Sequence, residues 1–294
     1  MMDINLVREE EATPDIAEIY SDIKQSLKIP WLPLFFQAFA AYPPFLRFIW
    51  NHIKPSALTE QFRIDCERAM AAAWLLVSQR HEPTYKHEDA LENDLAVDDL
   101  VDIQTTLEAF NYGAPKLLLI SAALSRAVGG LTIGGGGNPE LSHEHYMENV
   151  IQKIEIRYVD ESQASENVKR IYEDIKTTTS APVIAPFFMA IANWPGFLKL
   201  AWDDLKRLIN SPAFTQDKEL LFKFAEEAAD RLAYPLKMGY DEMEAAGVHE
   251  EDFENIEEII KFFASQIPAF LLCLVKMRLV TEDLLEVERG EYAA

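Results

Sequence analysis

The six-residue stretch Ile-Tyr-Ser-Asp-Ile-Lys at 19–24 returns as Ile-Tyr-Glu-Asp-Ile-Lys at 171–176, an offset of 152 residues. The match continues without a gap over 16–50 and 168–202, and it reaches upstream to pairs such as Val7/Val159 and Glu9/Glu161. Its identical pairs include Pro30/Pro182, Phe35/Phe187, Phe36/Phe188, Pro43/Pro195 and Trp50/Trp202. Similarity of this length at a fixed offset predicts that the chain is a tandem duplication.

The duplication predicts how the chain is divided. We expect a helical repeat over 1–128, a glycine-rich linker over 129–147 and a second helical repeat over 148–294, so that each unit has about 130–150 residues. Four consecutive glycines at 134–137, followed by Asn138 and Pro139, mark the linker. Two equivalent units would pack about a pseudo-twofold axis as an internal dimer, and a groove between them is the default ligand site.

The apolar residues of each repeat have a helical period. Ile16, Ile19, Tyr20, Ile23 and Leu27 recur three or four residues apart, which predicts one apolar face of a helix. Further helices are expected over 59–80, 97–111 and 115–127, with the last two separated before a proline. No stretch alternates with a period of two, so the predicted fold class is all-α.

Composition excludes several classes of protein. The 294 residues are 49% hydrophobic, and 27 basic against 49 acidic side chains give a net charge of −22. A disordered chain is therefore excluded, and a surface this acidic repels nucleic acid and anionic lipid. The longest uninterrupted apolar run, 69–77, is far shorter than the ~20 residues of a membrane span. We expect a cytoplasmic protein without a nucleic-acid or membrane partner, either a monomer or a homodimer.

Two stretches carry a specific resemblance. They are Ala-Phe-Asn-Tyr-Gly at 109–113, followed by Pro-Lys at 115–116, and Ala-Asn-Trp-Pro at 192–195. Together with the repeated six-residue stretch and Pro30-Trp31, they resemble the group I 2-haloacid dehalogenases, the DehI family, over nearly the whole chain. The resemblance implies an all-α pseudo-dimer with its active site between the repeats. It also implies cofactor-independent hydrolysis of 2-halocarboxylic acids of either hand, in which an aspartate activates the water that displaces halide.

The resemblance also indicates site residues, one position at a time. Trp31 matches a pocket tryptophan whose indole N–H would donate to substrate or halide, and Asn111 matches an asparagine that orients water or substrate. The alternatives are a core aromatic for Trp31 and a helix cap for Asn111. The expected groove contains these two residues and four others: Trp31, Leu34, Asn111, Pro186, Phe187 and Ala264.

The other four positions depart from the family. Phe187 occupies the position of the catalytic aspartate, and Pro186 precedes it where the family has a small hydroxyl residue. Leu34 replaces a pocket aromatic, and Ala264 replaces a tyrosine. None of these side chains can accept a proton from water, so the residues identify no catalytic base.

Three functions stay open. The leading one is a 2-haloacid dehalogenase-like protein, which would hydrolyse the carbon–halogen bond of small 2-halocarboxylic acids with activated water. The alternative is a non-catalytic protein that binds a small hydrophobic or carboxylic-acid ligand in the same groove. A third is an enzyme of altered specificity that uses a relocated acid; Glu108, three residues before Asn111, is the candidate acid, and a solvated surface role is its alternative. No metal ligands are expected for any of these functions.

Overall fold

The computed structural model describes residues 4–82, 87–93, 95–143 and 146–291. Over these residues no β-strand forms, and only two isolated bridges join extended segments. The prediction of an all-α fold is confirmed. The described helices are α1 (Pro14–Leu27), α2 (Leu34–Phe39), α3 (Pro43–Ala57), α4 (Glu60–Ser78), α5 (His87–Glu92), α6 (Val97–Ala127), α7 (Tyr146–Ile151), α8 (Glu166–Thr179), α9 (Pro186–Ile191), α10 (Pro195–Ile209), α11 (Pro212–Ala229), α12 (Tyr240–Ala245) and α13 (Phe253–Glu291).

Helices α1 to α4 and α8 to α11 begin at positions 152 residues apart. The local reasons are the same in both halves. Pro43 and Pro195 open α3 and α10, because proline at the first helical position lacks only an N–H that would be unpaired there. Both α1 and α8 end on a residue in the left-handed conformation, Lys28 and Ser180. Similar sequence therefore gives similar local structure.

The same tertiary contacts occur in both halves. The Tyr20 hydroxyl donates to the Val7 carbonyl at 2.8 Å, and Tyr172 donates to Val159 at 2.8 Å. Asp22 accepts hydrogen bonds from the indole of Trp50 and the ammonium of Lys54. In the second half, Asp174 accepts the same two bonds, from Trp202 and Lys206.

The core of the molecule mixes the two halves. Helices α6 and α13 pack along each other at the centre, α9 and α11 pack on α6, and α2 and α4 pack on α13. Aromatic rings of the two halves also contact each other. The ring centroid of Phe187 lies 6.4 Å from that of Phe110, and the ring centroid of Phe35 lies 6.0 Å from that of Phe263. Each half therefore covers the long helix of the other half.

Reciprocal ion pairs join α4 to α11. Asp65 on α4 binds Arg231, which follows α11, and Asp217 on α11 binds Arg80, which follows α4. Both aspartates are almost fully buried. Exchanged contacts of this kind are typical of a twofold interface.

The predicted helix break before Pro115 is absent from α6. The sequence predicts a break between 111 and 115, but α6 runs unbroken through Pro115. Proline removes the helical bond to the carbonyl of residue 111, at a cost of ~3 kcal/mol. Most of α6 after Leu107 is buried, and this burial outweighs the lost bond.

The glycine-rich stretch at 133–137 packs closely against the second half. Ile133 and Leu236 exchange backbone hydrogen bonds of 2.9 and 2.8 Å. A Cβ at Gly137 would lie 1.9 Å from the Arg231 carbonyl oxygen, and Gly134 has a φ of +74. The glycines at these two positions therefore permit close packing of one backbone on another.

One described stretch, Glu250–Glu286, is long and apolar enough to cross a membrane. Its most apolar window is 61% buried inside the protein. This stretch contains most of α13, which packs against α6, so its apolar surface belongs to the core.

Candidate functional site

A cavity of about 480 Å³ lies where the two halves meet. Its walls come from positions of the two halves that are 152 residues apart, including the pairs Leu6/Tyr158, Arg8/Asp160, Glu9/Glu161, Leu32/Ile184, Leu34/Pro186 and Gln37/Met189. A larger groove of about 630 Å³ is lined only by α1 and α3 of the first half, mainly with polar surface residues. The interface cavity is therefore the better ligand site, because apolar walls with a few polar groups are typical of such sites.

The cavity has apolar walls and a charged rim. Leu32, Leu34, Ile184, Pro186 and Met189 supply the apolar part. Arg8 is the one cationic side chain among the described residues that line it. Its Nη1 lies 3.9 Å from a carboxylate oxygen of Glu10 and 3.9 Å from one of Asp160. These distances are too long for hydrogen bonds, so the guanidinium keeps donors for a ligand.

The rim includes four carboxylates: Glu9, Glu10, Asp160 and Glu161. Glu9 pairs with Lys24 and Glu161 pairs with Lys176, again at equivalent positions. Sequence reasoning did not identify these residues as lining a site. The signal was present, because the similarity between the two halves extends upstream through Val7/Val159 and Glu9/Glu161.

Phe187 lies beneath the cavity in a cluster of aromatic rings. Its side chain is buried, and its ring lies 4.2 Å from that of Phe188, 5.7 Å from Phe270 and 6.4 Å from Phe110. Pro186, the preceding residue, lines the cavity itself. The position that the resemblance assigns to the catalytic aspartate is therefore an apolar part of the core.

Trp31 belongs to the same cluster, with its ring 5.0 Å from Phe110. Its indole N–H donates to the carbonyl of Ala109 at 3.1 Å, so this donor, expected to face a ligand, is used by the backbone. The ring also needs the glycine of the Asn-Tyr-Gly stretch, because a Cβ at Gly113 would lie 2.7 Å from its Cζ2. Trp31 thus fixes α6 beside the cavity.

Asn111 follows Phe110 on α6 and is 2% exposed. Neither its side-chain oxygen nor its side-chain nitrogen has a hydrogen-bond partner among the described residues. A buried polar group without a partner costs about 1–3 kcal/mol. Ala264, its equivalent on α13, is buried and apolar, so the fold itself does not require an amide here.

Glu108 lies one turn before Asn111 and is half-buried. Burial raises the pKa of its carboxyl group, although the nearby Arg278 guanidinium opposes the shift. Arg278 Nη1 lies 3.0 Å from Glu108 Oε1. Glu108 is not among the residues that line the interface cavity.

The structure brings the expected residues together in two layers. Leu34 and Pro186 line the cavity. Trp31 and Phe187 both contact Phe110 in the layer beneath, and Asn111 is the next residue on the same helix. Ala264 occupies the equivalent place on α13, beside Phe263. In the part of the chain that the structure describes, no group of three or more His, Cys, Asp or Glu side chains is arranged to hold a metal ion.

Comparison with known proteins identifies relatives. The family described as Halocarboxylic acid dehydrogenase DehI matches residues 30–186, more than half of the chain. An (R)-2-haloacid dehalogenase of Pseudomonas putida is 29% identical over 272 residues, covering 92% of this chain and 90% of that protein. An (R)-2-haloacid dehalogenase of Rhizobium sp. (strain NHG3) is 28% identical, covering 81% and 91%.

Solved structures agree with these relatives. A D-2-haloacid dehalogenase in complex with L-LA matches with a TM-score of 0.88 at 27% identity, covering 95% of this chain and 96% of that chain. A mutant D-2-haloacid dehalogenase in complex with D-2-CPA matches with a TM-score of 0.87 at 27% identity and the same coverage. The helical fold described above is therefore shared with 2-haloacid dehalogenases.

Proposed function

Because the chain belongs to the halocarboxylic acid dehydrogenase DehI family, we propose that it is a dehalogenase-like protein that binds short carboxylic acids, 2-halo acids included, in its interface cavity. We further propose that it does not hydrolyse them by the route that the family resemblance implies. Phe187 is the observation that carries this proposal. It stands at the position of the family aspartate, and its ring is packed among three other rings.

A phenyl ring cannot take a proton from water. Loss of a general base removes a factor of about 10² to 10⁴ in rate. The neighbouring positions do not compensate, since Pro186 and Ala264 also lack ionisable or hydroxyl groups. Burial of the cluster disfavours any charge that would develop there. Hydrolysis by the aspartate route would therefore be lost while the cavity above remains.

A short carboxylic acid would meet apolar walls in this cavity and one guanidinium among the four carboxylates of its rim. Its volume of about 480 Å³ accommodates a short acid, and its apolar walls suit an alkyl or halogen substituent. In a protein with a net charge of −22, an anion needs a local cation, and Arg8 supplies one at the rim. A guanidinium binds a carboxylate through two parallel hydrogen bonds.

We also propose that the chain arose by tandem duplication and forms an internal pseudo-dimer of 1–128 and 148–294, joined by 129–147. The repeated Asp22 and Asp174 contacts and the reciprocal ion pairs of Asp65 and Asp217 support this proposal. The interface cavity would then lie at the pseudo-twofold axis between the two units, which corresponds to the twofold axis of a homodimer.

A second candidate function retains hydrolysis with Glu108 as the base. Its raised pKa favours this role, because a base that titrates nearer neutral pH transfers protons more effectively. Its ion pair with Arg278 and its position away from the cavity argue against it. Under our proposal, Glu108→Gln binds 2-chloropropionate as tightly as the wild-type protein.

Calorimetric titration with both enantiomers of 2-chloropropionate, and with propionate, tests the proposed binding. We expect saturable binding to the wild-type protein. Leu34→Trp should weaken it by narrowing the cavity, whereas Leu220→Trp, at an exposed position of α11, should bind as the wild type does. Absence of wild-type binding, or equal binding by both variants, would contradict the proposal.

A further inference from the structure

A second and smaller cavity lies apart from the interface site, between the end of α1, the end of α3, the start of α4 and the middle of α6. Its volume of about 160 Å³ leaves room for roughly four or five heavy atoms. It shares no lining residue with the interface cavity. The described lining is Ser26, Leu27, Lys28, Ala57, Leu58, Phe62, Arg63, Lys116, Ser142, His143 and Glu148.

Lys116 is the buried cation of this cavity, with 7% of its surface exposed. Its Nζ donates to the Leu27 carbonyl at 2.6 Å and lies 3.6 Å from the centre of the Tyr112 ring. The Glu148 carboxylate lines the same cavity and accepts a hydrogen bond from the Tyr112 hydroxyl at 2.8 Å. Glu148 favours the ammonium form of Lys116, but burial of the side chain outweighs this attraction, so the neutral amine becomes a larger fraction of the side chain.

Burial lowers the pKa of the Lys116 ammonium to about 8. At about pH 7.5, roughly a quarter of the side chain is then neutral amine. The neutral amine can keep its N–H bond to the Leu27 carbonyl, which leaves its lone pair for a reaction. Desolvated lysines are the ones that act as nucleophiles towards carbonyl compounds.

The second half shows that the fold does not need this lysine. Pro115 and Pro268 are equivalent, so Ala269 stands where Lys116 stands in the first half. Helix α8 ends in the same left-handed turn as α1 with alanine at that position. The amine is therefore a feature of one half only, set in the apolar wall formed by Leu27, Ala57 and Phe62.

We propose that Lys116 is a reactive amine that forms an imine with a small aldehyde or ketone entering this cavity. The nitrogen lone pair attacks the carbonyl carbon, and proton transfer gives a carbinolamine. Expulsion of the former carbonyl oxygen as water, with both amine protons, leaves the C=N bond. The step needs no oxidant or reductant, and hydrolysis reverses it.

Reductive trapping tests this proposal. The full-length protein is treated with limiting acetaldehyde and cyanoborohydride between about pH 6.5 and pH 9.5, and ethylated lysines are located by peptide mass spectrometry. We expect Lys116 to react at least tenfold faster than Lys261 at about pH 7.5, with a rate that levels off above about pH 8. Lys261 is exposed and its pKa is raised by its bond to Glu257, so its rate should still rise at pH 9.5.

A variant of the cavity wall separates cavity entry from general reactivity. Ala57→Phe narrows the cavity without touching the amine, and it should slow ethylation of Lys116 at least tenfold while Lys261 is unaffected. Lys116 reacting no faster than Lys261 would overturn the proposal. An unchanged Lys116 rate in Ala57→Phe would overturn entry through this cavity. Neither result bears on the interface site, which shares no residue with this one.

Discussion

Asn111 is the residue at which stability and function are most clearly opposed. Its amide is buried and lacks hydrogen-bond partners among the described residues, while the equivalent Ala264 fills the same place on α13 without a polar group. An unsatisfied amide of this kind lowers stability. Its presence is understandable if a ligand supplies the missing bonds. Residues that a fold does not need are often residues of a site.

Asn111→Ala should therefore stabilise the protein by about 1 kcal/mol, because it removes an unsatisfied amide and places a better helix former in α6. Asn193→Ala is the matched control: that amide donates to two carbonyls, and its loss should destabilise the protein by about 1 kcal/mol. Urea denaturation measures both changes. Equal destabilisation by the two variants would refute the role given to Asn111.

Asp22 and Asp174 should each stabilise the fold at neutral pH, and this stabilisation should be lost in acid. Burial alone raises the pKa of Asp22, but hydrogen bonds from Lys54 and Trp50 outweigh it, so the net shift is downward. Bonds from Lys206 and Trp202 lower the pKa of Asp174. A lowered pKa stabilises the fold above the unfolded value of about 3.9, and the contribution is lost as pH falls through the folded value.

Asp22→Asn and Asp174→Asn should each reduce stability at neutral pH by up to about 1 kcal/mol, since both carboxylates are more than a third exposed. The loss should disappear near pH 2. Unfolding free energies at the two pH values provide the test. A large difference between the two variants would argue against equivalent roles for the two aspartates.

At the scale of elements, the pairing of α4 with α11 depends on the reciprocal ion pairs. The two buried aspartates of these pairs differ in how many hydrogen bonds they accept. Asp65 also accepts a hydrogen bond from Gln61 at 2.8 Å. Asp217 is bound by Arg80, and its other oxygen has no partner among the described residues. A buried carboxylate that loses its one donor is left at full desolvation cost.

Arg80→Gln should therefore destabilise the protein more than Arg231→Gln does, by about 2 against about 1 kcal/mol. Arg47→Gln is the control, because Arg47 and its partner Asp15 are both exposed and their pair contributes close to nothing. Thermal and urea denaturation would rank the three variants. A larger loss in Arg231→Gln than in Arg80→Gln contradicts this assignment.

For the whole molecule, the central feature is that helices of each half pack on the long helix of the other half. Helix α6 is covered by α9 and α11, and α13 is covered by α2 and α4. A separate half would expose the apolar face of its long helix to water. Folding of either half therefore depends on the other.

Fragments 1–128 and 148–294 should accordingly be unfolded or aggregated when they are produced alone, and they should form a helical 1:1 complex when co-expressed. Circular dichroism and size-exclusion chromatography distinguish these states. A folded monomer of 1–128 would show that the halves are independent.

The sequence predicted the parts of the fold that depend on local pattern. The apolar period of 16–27 and the prolines at 43 and 195 mark helices whose limits the structure reproduces. The helix break predicted before Pro115 was wrong, because burial of α6 outweighs the local effect of the proline. The rim residues Arg8 and Asp160 and the unpaired amide of Asn111 depend on how the two halves meet, and no local pattern encodes that.

Halide release by the wild-type protein tests the central claim most directly. The protein is incubated with (R)- and (S)-2-chloropropionate under conditions in which calorimetry shows the acid to be bound, and chloride is measured. Phe187→Asp, with Phe187→Asn as its matched control, shows whether a carboxylate at this position restores the reaction. We expect no release above buffer from the wild type or Phe187→Asn; release from Phe187→Asp would show that the base alone is missing. Catalytic release of chloride by the wild-type protein would contradict the account, since a base other than residue 187 would then have to act.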